Sequence, residues 1–167
     1  MGLHLVRMKK NDLLEAWLDS WDAMESANSS DAPLAHPFPR EYRAFFHCFN
    51  TSRFYEAHDV LEHLWLQCRD TNRSFYQALI QLAGAFVHFQ KQAQFPLHPT
   101  HSRRAAPGSR LLGMAAARMA AFPAWHLGVD VAALRGLCAL WKERARQTPC
   151  PLQTFAPPTL QIPEGTP

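Results

Sequence analysis

The sequence predicts an all-α fold, a single-domain bundle of about five or six helices, and three observations predict it. Apolar residues recur at three- and four-residue steps in the long segments. No region combines strand-length alternation with hairpin turn signals, and no internal repeat is present. Proline-containing stretches fall between the periodic segments and punctuate them. The 167 residues fall within the range of one domain and can bury a real core.

From Asn11 to Ala27, Leu14, Trp17, Leu18, Trp21 and Met24 mark an amphipathic helix that needs a partner to cover its two tryptophans. "SSDAPLAHPFP" breaks the pattern, because three prolines in seven residues remove amide donors and fix a backbone torsion. A short helix is predicted from Arg40 to Phe49, followed by Asn50, Thr51 and Ser52, any of which could cap the next helix. That next helix carries "FYEAHDVLEHLW" and ends near "CRDTNR".

A long helix follows from about Asn72 to Ala93. Its "ALIQLAGAFVHF" is apolar on nearly every side, as in a central helix packed by neighbours, and Ala83, Gly84 and Ala85 would admit a closely approaching helix. After the polar loop "QFPLHPTHSRRAAPGS", Pro107 to Ala121 reads as helical until Pro123 stops it. Asp130 can cap a last helix to about Gln147, striped by Leu134, Leu137, Cys138 and Trp141. The remaining "PCPLQTFAPPTLQIPEGTP" is too proline-rich for helix and reads as extended or disordered. The organisation expected is an amino-terminal helix over 1–28, a linker over 29–39, a bundle core over 40–147 and a tail over 148–167.

A composition of 47% hydrophobic and 19% charged residues with net charge +3 is that of an ordinary globular chain. The four cysteines form no C-x-x-C pair, so reduced, mostly buried thiols are expected rather than a zinc ribbon or disulfide scaffold. The amino-terminal residues lack the apolar run of a signal peptide, and no stretch approaches the roughly 20 apolar residues of a membrane span. A soluble, cytoplasmic protein without a membrane partner is the expectation.

Chemistry concentrates in "FYEAHDVLEHLW". His58 and His63 are five apart, and at about 100° per residue they stand about 140° apart around the helix, which disfavours a shared zinc ion. A di-iron carboxylate bundle needs paired E-x-x-H motifs, and the chain has none. His58 and Glu62 do sit at i and i+4, so they can hold one ion, with help from His88, His98 or His101, and the identity of the metal stays open.

On the helical wheel Phe54, Leu61, Trp65 and Cys68 make an apolar face. His58 falls inside it and Tyr55 and Glu62 along its edge, while Glu56, Asp59 and His63 lie elsewhere and read as solvated. A carboxylate near the core needs a partner, and His58 is the obvious one. That couple is either a structural contact fixing how helices meet, or a catalytic base with its orienter. Trp65 forms an apolar wall beside it.

"CFNTSRFYEAHDVLEHLWL", "SFYQALIQLAGAFVHFQK" and "PGSRLLGMAAARM" together resemble the small helical family catalogued as domain of unknown function 309, over roughly Arg40 to Trp141. Its motif is matched by Phe49, Asn50, Tyr55, Glu56, Ala57, His58, Leu61, Glu62 and Trp65. The resemblance implies an all-α fold and a second motif around Gln77, Gln81 and His88, and it implies no established reaction. The long "QAQFPLHPTHSRRAAPGS" departs from the short turn of many relatives.

Three function classes follow. One is an enzyme or small-ligand binder, hydrolytic in the broadest terms, with His58 and Glu62 as catalytic or metal-binding residues, Tyr55, Trp65, Gln77, Gln81 and His88 as lining, and its cofactor unknown. Another is a non-catalytic module in which the first helix and the tail recruit a partner or a second copy.

The third is nucleic-acid binding. Thr71 to Pro149 holds ten Lys/Arg against two Asp/Glu, while the chain up to Asp70 holds seven against eleven. Arg73, Lys91, Arg103, Arg104, Arg110 and Arg118 could meet phosphates. Few interleaved aromatics and no recognition motif make that class unlikely. The asymmetry is better read as basic helices packing beside acidic ones, or as a self-complementary dimer.

Overall fold

Each apolar stripe read from the sequence forms a helix in the computed structural model, which describes residues 10–28 and 36–163. Among these are α1 (Lys10–Asn28), α2 (Arg40–Asn50), α3 (Phe54–Gln67), α4 (Asn72–Gln94), α5 (Ala105–Met119), α6 (Val131–Gln147) and a single-turn α7 (Pro151–Thr154). No helix among the described residues is long and apolar enough to cross a membrane. The fold is all-α, with a minute two-stranded hairpin of β1 (Trp125–His126) and β2 (Val129–Asp130).

The centre is α4, which packs against α3 on one side and α5 on the other. Phe86 stands at the middle of an aromatic cluster, with ring centroids 5.2 Å from Phe49, 5.1 Å from Phe54, 5.6 Å from Phe89 and 4.8 Å from Trp141. The small residues of α4 do admit close neighbours. A methyl built on Gly108 of α5 would lie 2.6 Å from the Phe89 ring and 3.1 Å from the Ala85 carbonyl, so the two backbones meet where neither side bears bulk.

α1 docks by charge as much as by apolar burial. Leu18 and Trp21 are buried, whereas Leu13 and Met24 stay exposed. Its acidic face is met by two arginines of α2: Arg40 bonds Glu15 and Asp19, and Arg43 bonds Asp22 and Glu25. Arg43 also lies 5.4 Å from the Trp21 ring and Arg53 5.3 Å from Trp17.

The connections correct several readings. Asp130 caps α6 as expected, accepting from the Ala133 amide at 2.9 Å. None of Asn50, Thr51 or Ser52 caps α3. The Asn50 side chain instead accepts from the Leu160 amide at 2.6 Å and donates to the Leu160 carbonyl at 2.8 Å, which anchors the tail to the end of α2. Thr51 bonds back to the carbonyls of His47 and Cys48.

The tail is helical for one turn, because Pro151 sits at the first turn, where a missing N–H costs nothing. It then runs extended with Leu160 buried. The hairpin turns on Leu127 and Gly128, both with positive φ, and the Tyr42 hydroxyl donates to the Leu127 carbonyl at 3.0 Å. A leucine in that position hides the turn from sequence inspection.

Candidate functional site

Helix α3 presents its buried side, Phe54, Ala57, Val60 and Leu61, to the core. Its polar residues divide between two flanks. On one, His63 is covered by α1: its Nε2 lies 2.5 Å from Glu15, with Glu41 of α2 close by and Arg40 bonded to both acids. Arg40 already bonds these carboxylates, so that cluster is an ion network that ties α1, α2 and α3 together. His63 is thus held against α1 instead of being solvated.

On the other flank His58, Asp59 and Glu62 bring their ligand atoms within 4.8 Å of one another, all half-buried. Asp59 also departs from the sequence reading, for its side chain is only 12% exposed. Its carboxylate accepts from His58 Nδ1 at 3.3 Å, while Lys10 at the start of α1 reaches its second oxygen at 2.8 Å. The carboxylate assigns the proton of neutral His58 to Nδ1 and leaves the Nε2 lone pair free. The expected partner of His58 was Glu62, but Asp59 holds that place. Glu62 makes no hydrogen bond, nor an ion pair within 4.0 Å, to any described residue.

The imidazole lies against α4, where a methyl on Gly84 would be 3.8 Å from His58 Cδ2 and 3.4 Å from Leu111 of α5. Gly84 is itself half-exposed, so the missing side chain leaves a notch beside the ring. α3 and α4 run antiparallel across a short turn. Counting outward from the His58–Gly84 contact puts Glu62 level with Gln81, Trp65 level with Gln77, and Tyr55 level with His88.

Gln81 is buried with its side-chain carbonyl unpartnered, and the Trp65 indole N–H is likewise buried without an acceptor. Tyr55 is exposed, with the Lys10 ammonium 5.7 Å from its ring centroid. Gln77 is half-buried. His88 Nδ1 lies 3.2 Å from Arg104 Nη1, and Arg104 Nε donates to His101 Nδ1 at 2.7 Å. The Trp65 ring is covered by the Arg73 guanidinium at 4.0 Å, and Arg73 also donates to the carbonyls of Trp65 and Cys68. Arg73 therefore closes the end of α3, a role its place among the basic residues did not signal.

The thiols are free: Cys48 and Cys138 are buried, and Cys68 and Cys150 partly so. Burial pushes the Cys48 thiol up to about 11 and the Cys138 thiol up to about 12, so neither is a nucleophile at neutral pH.

Two histidines give the fold a pH dependence. Burial holds His88 and His126 below the ordinary histidine value, and for His88 the neighbouring Arg104, Lys91 and Arg110 add to it. The unfolded chain then takes up protons first. Their contribution is fully present above the unfolded value of about 6.5 and is lost as the pH falls from there through the folded values. The melting temperature is expected to fall between about pH 7.5 and about pH 5.5, and to fall less in the double variant His88→Gln/His126→Gln. Equal slopes for the two proteins would contradict this assignment.

Comparison with curated proteins and with solved structures gives no significant match. The family model described as Domain of unknown function (DUF309) matches residues 42–94, a narrower span than the motifs suggested. That span holds α3, α4 and most of α2, and so contains both His58 and Glu62 and the notch at Gly84. Over this segment, about a third of the chain, the protein is similar to that family.

Proposed function

We propose that the chain binds a single divalent metal ion between His58 and Glu62 and uses it to polarise a small substrate for hydrolysis. The observation that carries this reading is the Glu62 carboxylate, half-buried and without a bonded partner, beside an imidazole whose Nδ1 is anchored by Asp59. A free carboxylate next to an oriented imidazole is the donor pair a first-row metal takes, with the carboxylate behind the histidine fixing its ring. Two protein ligands leave coordination positions for water and substrate. Trp65, Gln77 and Gln81 would line the site toward the end of α3, and Tyr55 and His88 toward its start.

Calorimetric titration with Mn²⁺ and with Zn²⁺ tests the proposal. One-site binding is expected for the wild type, weakened about tenfold or more in His58→Ala and in Glu62→Gln. The metal-free Glu62→Gln protein should melt at or above the wild-type temperature, because its carboxylate has no bond to lose. Absence of saturable binding, or a marked loss of stability in Glu62→Gln, would overturn it.

A second reading, a non-catalytic interaction module, is favoured by the Lys10–Asp59 bridge, which makes the same cluster a docking point for α1. Stable Glu62→Gln protein that has lost metal binding would decide against that reading.

A further inference from the structure

The basic second half does not pack against the acidic first half. The acids of α1 are bonded by Arg40 and Arg43 of α2. Of the ten Lys/Arg between Thr71 and Pro149, Arg146 alone pairs with a described carboxylate, Glu143 on its own helix. The expected packing fails because α2 supplies its own arginines to α1. Much of the charge left over collects at one end of the bundle.

That end is fixed by bonds between segments distant in sequence. Gln90 of α4 donates to the Ser52 carbonyl just before α3 at 3.0 Å, Gln92 donates to the Pro149 carbonyl beyond α6, and Arg104 ties the start of α5 to His88. Lys91, Arg103, Arg104 and Arg110 stand here, and three of them, Arg104, Lys91 and Arg110, act together to hold His88 below the ordinary histidine value. None of the four forms an ion pair with a described carboxylate. The acids of the adjoining helix ends are taken: Glu56 is bonded by Arg53 at 3.4 Å and Glu143 by Arg146 at 3.3 Å.

A turn projects from this cationic end. The His98 amide donates to the Phe95 carbonyl at 3.1 Å, which puts Pro96 and Leu97 at the two central positions. His98 braces the loop, for its Nδ1 accepts from the amides of Thr100 and His101 at 3.1 and 3.3 Å, and its carbonyl from the Ser102 amide at 3.0 Å. Leu97 is 94% exposed, whereas the other exposed large apolar residues, Phe95 among them, lie between 47% and 62%. Half-exposed apolar side chains scattered over a surface are ordinary. A leucine held almost wholly in water by a hydrogen-bonded loop, beside Phe95 and four unpaired cations, marks an interaction surface.

We infer that this end of the bundle docks on the surface of an anionic lipid bilayer. Leu97 and Phe95 enter the headgroup region, and Lys91, Arg103, Arg104 and Arg110 meet the acidic headgroups. The charge and the apolar tip together ask for a partner that is anionic at its surface and apolar just beneath it, and such a bilayer is both. A small ligand needs a concave site, and this feature is convex. The acidic helix of a second copy is already held by the arginines of its own α2. A nucleic acid would use the cations but give the aliphatic tip nothing to enter. Attachment of this kind needs no spanning helix, and none is present among the described residues. It also stands apart from the metal proposed at Glu62.

Co-sedimentation of the full chain with vesicles tests the inference, comparing phosphatidylcholine alone with an equimolar mixture of phosphatidylcholine and phosphatidylserine. Binding to the mixed vesicles is expected to be at least about tenfold stronger than to the neutral ones. Leu97→Asn should weaken it about fivefold or more, and Arg103→Glu/Arg110→Glu at least about tenfold. All three side chains are exposed, so these variants should melt with the wild type. Leu66→Asn, the same change on an exposed leucine at the far end of α3, should bind as the wild type does. The inference is overturned if the mixed vesicles do not carry down the wild type, or if Leu97→Asn binds them equally well. Binding of a single-stranded oligonucleotide without binding of vesicles would overturn it too, since that would mark a surface for nucleic acid.

Discussion

Phe86→Ala is expected to lower the free energy of unfolding by about 3–5 kcal/mol, the largest effect of any single truncation considered. The ring is fully buried and meets Phe49 at the end of α2, Phe54 at the start of α3, Phe89 on its own helix and Trp141 on α6. Removing it leaves a void walled by four rings that belong to four helices. These cannot all close in, because each is fixed by contacts elsewhere, Trp141 for instance by Arg144 and Phe155. Urea denaturation measures the change, and an unchanged slope would place the effect in stability rather than in the unfolded state. A loss below about 1 kcal/mol would mean that the aromatic cluster can collapse around the gap.

Gly108→Ala should cost about 1–3 kcal/mol although it adds one methyl group to a helix. By helix propensity alone the change would stabilise the protein, by roughly 1 kcal/mol, so the sign of the result is informative. The added carbon would stand 2.6 Å and 3.0 Å from two carbons of the Phe89 ring and 3.1 Å from a backbone carbonyl. The carbonyl cannot rotate away, and Phe89 is fully buried against Phe86 and Trp141. Relief therefore requires α5 to move off α4, which would also widen the gap between Gly84 and Leu111. Gly136→Ala serves as the matched control: it lies in α6 with nothing within 4 Å of the new carbon, and should be stabilised or unchanged.

The helices were legible because their apolar stripes are long and their boundaries carry prolines or a capping Asp130. The close approach of α4 and α5 was legible in Ala83, Gly84 and Ala85. The hairpin was not, because its turn uses Leu127 where asparagine or glycine would have marked it. A helical wheel drawn for α3 alone placed His58 and Glu62 correctly on the partly buried side. It misplaced Asp59 and His63, since which flank a neighbouring helix covers is set by α1, far away in sequence. The signal was present in the match between Lys10 and Glu15 on α1 and Asp59 and His63 on α3, but only a docking geometry selects those pairs.

Asn50 shows the same limit. Its residue type suits a helix cap, and it serves instead as a bridge to Leu160. The grouping of His88, His101 and Arg104 likewise depends on how the loop after α4 folds back. Charge counting located the excess of basic residues but could not gather it to one point.

The proposed function requires His58 and Glu62 to hold a metal ion. The most direct measurement is anomalous diffraction from crystals of the full chain soaked with Mn²⁺. A single strong peak is expected within bonding distance of both His58 Nε2 and the Glu62 carboxylate, absent from crystals of Glu62→Gln. A peak bound elsewhere, or ordered His58 and Glu62 side chains with no peak between them, would contradict it.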